Sequence, residues 1–394
     1  MSIKIKAIVI CIFCFTILAS AQDVTFGTNN YIEYQAGTLP FVISVAHGGS
    51  IEPSSIPNRT CNNPVYATDA FTLETALEIK NYLFTTTGCY PHLIISHLKR
   101  NKLDPNRNVT DGACGNPQAE TAWNEFHNFI TDARNSANEQ FNNQTFFVDL
   151  HGHGNPIQRI ELGYLLYDYE LEFSDSTLNS NQYIDFSTIQ NLAYNNLNNY
   201  THAQLLRGPK SFGSLLANQN YPSVPSESIP SPGTTTNYFS GGYITANHTS
   251  YSSNLDINGL QMELNYTGIR NTHSNRTEFA MAFSKAIIEY MDTHFNMVWN
   301  SCTPVLSINE NTLNVLPEFY PNPVKKGELF YIDNLENKTY IYYLYNYLGQ
   351  ALKIGKLRKL ENSIDTKNLE SGIYVIYISN MQSGEKVIKK LIIN

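Results

Sequence analysis

The sequence predicts an α/β protein with a mixed, twisted sheet covered by helices, followed by a small all-β sandwich. Three observations lead there. Between residues 23 and 302, short apolar runs alternate with amphipathic helical stretches. Runs that are apolar throughout suit strands buried on both faces by helices. From residue 319 the helical period is gone, and tyrosine-rich runs alternate with turn residues. The chain has 394 residues, more than one typical core needs and enough for two domains.

In chain order, MSIKIK supplies two lysines and AIVICIFCFTILA an apolar core, and Ala19-Ser20-Ala21 offers the small residues of a cleavage site. Residues 1–21 are thus expected to be a signal peptide. Its apolar run is too short for a comfortable bilayer span, and nothing later is long and apolar enough. FVISVAH predicts a strand, and ATDAFTLETALEIKNYLFTTTG a helix ended by Gly88. HLIISHL is a second strand, AETAWNEFHNFITDARNSANEQF a second helix, and TFFVDLHGHG a strand ending in histidines. PSVPSESIPSPGTTT predicts a surface loop. GLQMELNY is a further strand, and RTEFAMAFSKAIIEYMDTHF the last helix of a main domain spanning 22–302. A linker, 303–318, leads to the β domain at 319–394.

The formal charge is −8. Loss of Lys4 and Lys6 with the leader makes it −10, and the basic end from Tyr320 contributes +4, so the main domain carries about −14 by subtraction. Such a balance argues against nucleic acid as the principal partner and disfavours polyanions. Cys61, Cys89, Cys114 and Cys302 remain after the leader, without CxxC spacing. An even count in an exported chain predicts two disulfides, with three pairings open.

Three segments end in groups suited to one metal ion. His47 and Glu52 follow the first apolar run, Asp149, His151 and His153 close FVDLHGH, and Glu263 lies within QMELNY. In open α/β sheets, ligands gather beyond the carboxyl ends of the strands. A catalytic zinc takes three protein ligands of histidine and carboxylate type and keeps one position open. His47, Glu52 and His151 are the expected ligands, His151 being preferred to His153 because it follows the strand directly. Gly48 and Gly49 would let the loop fold Glu52 back toward the ion. Asp149 would orient a ligand histidine, and Glu263 would serve as general base. Each has a plainer reading: a satisfied strand-end histidine, a loop acid, or a buried acid neutralised by arginine.

AHGGSIEPSS resembles the HGGxIEP segment of phage-type poly-γ-glutamate hydrolases, and QMELNYTG resembles the strand of zinc carboxypeptidases that carries the catalytic glutamate. SHLKRNKLDPNRNV, FVDLHGHG and SGGYIT are similar to segments of the N-formylglutamate amidohydrolase family. Together these cover most of residues 40 to 295, in order. The resemblance implies a zinc-exopeptidase (phosphorylase/hydrolase-like) fold, with His47, Glu52 and His151 as metal ligands and Glu263 as base. It further implies Arg100 and Arg107 as partners of a substrate carboxylate, for which the guanidinium fork is suited. The competing reading for these arginines is a structural pair with Asp104. Gly241, Gly242 and Tyr243 would line the pocket, or form a plain turn.

Formylglutamate enzymes carry a threonine–aspartate pair before the next helix, where this chain has Thr68-Asp69. Asp69 is therefore a second candidate for the carboxylate ligand, or an N-cap. At the other end, FYPNPVKKGELFYI, YNYLGQ, IDTKNLESGIYVIYI and KVIKKLIIN resemble the type IX secretion sorting domain. That implies export through the type IX machinery to the medium or cell surface. The sequence thus predicts a secreted zinc amide hydrolase acting on a carboxylate-bearing N-acyl amino acid or peptide. A catalytically inactive surface binding protein or adhesin is the alternative.

Overall fold

The structure is a computed structural model and describes residues 22–141, 144–233, 237–251, 257–295, 297, 318–333, 340–346, 351–359, 362–380 and 386–394. The expected leader, almost all of the expected linker, and Cys302 lie outside them. The chain divides into two compact units, Met1–Pro304 and Val305–Asn394.

The first unit is built on one sheet of eight strands: β1 Val24–Phe26, β2 Ile32–Gln35, β3 Phe41–Val45, β4 His92–Ser96, β5 Phe146–His153, β6 Ile160–Gly163, β7 Ser223–Val224 and β8 Asn258–Asn265. Their order is β1-β2-β4-β3-β5-β8-β6-β7. The centre, β4-β3-β5-β8, is parallel; β1-β2-β4 and the β6–β8 pair are antiparallel, which makes the sheet mixed. Parallel neighbours need helical crossovers, and these cover both faces. Helix α1 (Thr72–Thr87) and the helix His273–Phe295 pack on one face through Ile79, Leu83, Phe279, Phe283 and Tyr290. Beyond the short helix α2 (Val109–Ala113), the long helix α3 (Pro117–Phe141) packs on the other through Ala122, Phe126, Ile130 and Ala133.

The two-residue period of β5 sorts its side chains. Phe146, Val148 and Leu150 enter the α1 face, while Phe147 joins the α3 face. Asp149 and His151 continue the Phe147 row, so that face turns from apolar to polar toward the carboxyl end. β8 does the same, with Leu260, Met262 and Leu264 on one side and Gln261 and Glu263 on the other.

Two expectations need correction. The segment from Pro222 does not begin as a surface loop: Ser223 and Val224 are fully buried and pair with β6. The helix predicted from Ala67 begins at Thr72, because the residues before it carry Asp69 inward, its N–H donating to the His47 carbonyl at 3.1 Å. At its other end Gly88 takes the left-handed conformation and its N–H reaches the Phe84 carbonyl, as predicted.

The second unit is all-β. Strands β9 (Glu318–Tyr320), β10 (Leu329–Asp333) and β13 (Ser363–Asp365) form one antiparallel sheet. Strands β11 (Tyr340–Asn346), β12 (Ala351–Leu357), β14 (Gly372–Asn380) and β15 (Lys386–Ile393) form another. Both contribute to one core, including Phe330, Ile332, Ile364, Tyr342, Leu344, Ile376 and Leu391. No described helix of the chain is long and apolar enough to cross a membrane.

Candidate metal centre

His47 leaves the end of β3, His151 lies near the end of β5, and Asp69 sits in the turn before α1. All three are buried. His47 Nδ1 is 3.1 Å from His151 Nδ1; Asp69 Oδ2 is 3.2 Å from His151 Nδ1 and 3.4 Å from His47 Nδ1. The cluster brings one ligand atom from each residue to a common point.

What lies behind each ring fixes its protons. His47 Nε2 is 2.7 Å from Asp104 Oδ1, and His151 Nε2 is 2.8 Å from Asp149 Oδ2. Asp149 is held in turn by Ser44 Oγ at 2.6 Å. A carboxylate only accepts, so each Nε2 carries a proton and donates it, as histidine ligands commonly do to a carboxylate behind them. With neutral rings, both Nδ1 lone pairs then face the Asp69 oxygen. Three electron-rich atoms at this spacing repel one another unless a cation lies between them. A tetrahedral zinc with bonds of about 2.0–2.1 Å separates neighbouring ligand atoms by roughly 3.3 Å, close to all three edges. The residues present therefore fit a zinc ion.

The titration of the cluster follows from its contacts. Burial would raise the Asp69 carboxyl, but hydrogen bonds and charge from His151 and His47 hold it well below the usual range. Asp104 behaves alike: burial is outweighed by His47, Arg100 and Arg59. Burial disfavours the imidazolium of His151, yet Asp149 and Asp69 raise it well above the ordinary value. In the metal-free protein, a proton is thus the competitor for this position.

Glu263 stands beside His151 in the β5–β8 register, buried on the same face. Its Oε1 accepts from Gln261 Nε2 at 3.0 Å. Burial pushes its carboxyl up to about 8.

Glu52, expected as a ligand, is not in the cluster. The chain after Gly49 pairs Ile51 with Leu98, which turns Glu52 outward. Its carboxylate is exposed, with Oε1 2.5 Å from Lys99 Nζ and Oε2 2.8 Å from Asn101 Nδ2. The glycines do not fold Glu52 back. A Cβ on Gly49 would lie 2.4 Å from the His97 carbonyl, so Gly49 permits close passage of two backbones. Asp69 occupies the carboxylate position. His153 is a structural residue: its Nε2 donates to the Arg159 carbonyl at 2.8 Å, and its Nδ1 accepts from Asn155 N–H.

Three guanidinium groups surround Asp104. Arg59 is fully buried, 3.4 Å away; Arg100 Nε is at 3.2 Å and Arg107 Nε at 3.4 Å. Arg107 also donates from Nη1 to the Asn62 carbonyl and from Nη2 to that of Asn63. These bonds hold the loop that the Cys61–Cys114 disulfide ties down. Arg100 approaches Asp69 Oδ1 at 3.7 Å, and its Nη2 has no protein partner among the described residues. Cys89 is disulfide-bonded as well. Gly242 precedes the short helix Tyr243–His248, whose Ile244 N–H donates to Asn106 Oδ1 at 2.9 Å. Asn106 Nδ2 in turn lies 3.5 Å from His151 Nε2, so Gly241, Gly242 and Tyr243 flank a neighbour of the centre.

Asn106 and Arg270 are the residues sequence reasoning missed. Arg270 is buried and donates to three carbonyls: Leu264, Ala70 and His153, the first at 3.2 Å and the last at 2.8 Å. It ties the Asp69 turn to the ends of β5 and β8. A Cβ on Gly152 would lie 2.3 Å from its guanidinium carbon, so any side chain here would displace the Arg270 guanidinium. Nothing in the local pattern around Arg270 announces this role; a glycine inside the strand end, Gly152 in HGH, is the one signal that marks a close approach there.

Residues 318–394 match the family model of the secretion system C-terminal sorting domain. A sorting domain of this kind implies delivery by the type IX machinery and a secreted or cell-surface location. No curated protein sequence matches the chain. Among solved structures, part of the chain is similar to PorZ, described as an essential bacterial surface component of the type IX secretion system of Porphyromonas gingivalis. The likeness has 15% identity and a TM-score of 0.16, covering 20% of this chain and 11% of that one, too little to carry an argument.

Proposed function

We propose that the first unit is a zinc-dependent amide hydrolase, exported by its sorting domain, that acts on a carboxylate-bearing N-acyl amino acid or peptide. The observation that carries this reading is the triangle of His47 Nδ1, His151 Nδ1 and Asp69 Oδ2, with both histidines backed by carboxylates. When bound, zinc supplies Lewis-acid polarisation of a carbonyl and brings the ionisation of water toward neutral pH. His47, Asp69 and His151 would hold it.

Glu263 lies on the same sheet face beside His151, in no salt bridge with an arginine among the described residues. Burial raises its carboxyl, and the positive charge of a bound zinc would favour the carboxylate form that a base must have. In this reading it takes a proton from the attacking water as the C–O bond forms. It then delivers that proton to the amine nitrogen as the C–N bond breaks, leaving a carboxylic acid and an amine. Gln261 fixes its orientation. Asp104 and Asp149 hold the two imidazoles with Nδ1 aimed inward. Arg100, with an uncommitted Nη2, anchors the substrate carboxylate. Arg107 and Arg59 add positive field around Asp104.

The test is metal content joined to turnover. Purified protein should hold about one zinc per chain, and Glu263→Gln should keep it while losing a factor of about 10²–10⁴ in kcat on a turned-over N-acyl amino acid. Wild-type protein that takes up no zinc on refolding with excess metal would overturn the reading. Full zinc occupancy with equal turnover in the variant would remove Glu263 from its role.

A further inference from the structure

We propose that Phe71 and Tyr266 form an apolar subsite at the mouth of this centre, selecting substrates with an aromatic or large aliphatic side chain beside the amide. The inference rests on the hydrolase reading and adds its substrate class.

The chain places both rings beside the centre. Phe71 is two residues after Asp69, and Tyr266 three after Glu263. Their ring centroids are 6.3 Å apart with planes inclined by 34°. Both side chains are exposed, Phe71 by 38% and Tyr266 by 41%. A single exposed aromatic needs no explanation; a facing pair flanking two site residues is a different observation.

Cations back both rings. The Arg276 guanidinium carbon lies 5.0 Å from the Phe71 ring centroid, and that of Arg270 lies 5.5 Å from Tyr266. Each ring therefore has one face taken. Arg270 is also the residue that bonds the Ala70, Leu264 and His153 carbonyls and packs on Gly152. Gly152 N–H donates to Asp69 Oδ2 at 3.2 Å. Arg270 thus links Tyr266, and through it Phe71, to the turn that carries Asp69.

Phe71 gives the second, independent indication. It sits at φ 64°, ψ 15°, in the left-handed region that a bulky residue rarely adopts. Such outliers persist where surrounding bonds impose them and cluster at ligand clamps. Here the Asp69 N–H is tied to the His47 carbonyl and the Ala70 carbonyl to Arg270. These ties leave the Phe71 ring part-exposed, while Leu73 and Ala76 after it pack on the core. A glycine or asparagine would meet the backbone need at lower cost; what the aromatic ring adds is its contact with Tyr266 and Arg276 and the apolar surface it leaves exposed.

The experiment uses the zinc-loaded mature chain with N-acetyl-L-phenylalanine and N-acetylglycine, comparing wild type, Phe71→Ala, Tyr266→Ala and Tyr266→Phe. Each alanine variant should raise KM for the phenylalanine compound about tenfold. KM for the glycine compound should move by less than about twofold, and Tyr266→Phe should behave as wild type. Equal shifts for both compounds, or none for either, would overturn the subsite. If neither compound is hydrolysed, calorimetric binding of the same two compounds decides. A Kd ratio favouring phenylalanine that the alanine variants abolish supports the subsite even though the hydrolase reading has failed; equal Kd values sink it.

Discussion

Two pairs of buried histidines lie in the first unit, and they are built oppositely. His47 and His151 meet edge to face, with centroids 4.8 Å apart. His127 and His248 stack, with centroids 5.0 Å apart and planes 13° from parallel. Carboxylates stand behind the first pair. Behind the second stand Arg134, whose Nη1 is 2.8 Å from His248 Nδ1, and the Pro105 carbonyl, 3.0 Å from His127 Nε2. Arginine can only donate, so His248 must donate from Nε2 to His127 Nδ1 at 2.7 Å, and His127 from Nε2 to Pro105. Every lone pair in that chain is used. In the first pair, when the rings are neutral, the Nδ1 lone pairs are left over and aimed at one point, where a cation or, in the metal-free protein, a proton on His151 sits. The group behind the second nitrogen decides whether a buried imidazole can take a cation or only bridge two elements.

The sharpest way to separate the pairs is acid. Burial lowers His92, His127 and His202 to about 4, and puts His248 well below its ordinary value. The unfolded chain takes these protons near pH 6.5 while the folded one refuses them until about pH 4. Stability should therefore be full above pH 7 and fall across pH 6.5 to 4, by up to about 3 kcal/mol for each such histidine. His151 acts in the other sense in metal-free protein: its contribution is present below pH 6.5 and lost as pH rises through its raised folded value. Thermal melts of the chelator-treated protein over pH 4 to 8 measure the balance. A melting temperature that does not drop over that acid range contradicts the account of the second pair.

Asp104→Asn probes the first pair. It removes the acceptor charge behind His47 and should weaken zinc binding about 10–100-fold in a chelator competition. Affinity unchanged within twofold would mean that the backing carboxylate does not set the ligand. His127→Ala probes the second. It leaves the Pro105 carbonyl and the His248 Nε2–H without partners and should cost about 1–3 kcal/mol in urea unfolding. Zinc affinity should stay close to wild type; a loss like that of Asp104→Asn would erase the distinction between the pairs.

Much of the centre was legible because strands announce their ends. FVISVAH and FVDLHGH are apolar runs that turn polar, and that change marks where a buried sheet meets its crevice. Glu263 stood out as an acid inside an apolar run. For the carboxylate, spacing and resemblance favoured Glu52, five residues from His47, over the second candidate Asp69. The fold instead brings Asp69 to the two histidines, its N–H bonded to the His47 carbonyl. Arg270 was illegible because its bonds go to three carbonyls distant in sequence, and no local pattern encodes them. The all-β character of the last unit was legible over its described residues, since alternation of inward and outward residues suffices to specify antiparallel strands.

The pairing of His151 with Glu263 across β5 and β8 has a consequence for how such a centre can change. Neighbouring strands sit about 4.8 Å apart, and side chains repeat on one face every second residue. The sheet is thus a ruler with coarse graduations: the acid cannot drift toward or away from the imidazole by small steps. Slippage by a single residue would swing Glu263 to the opposite face, the apolar one that carries Leu150, Met262 and Leu264. A misaligned chain would lose this chemistry outright and bury a charge in its core, so correct pairing and competence arise together.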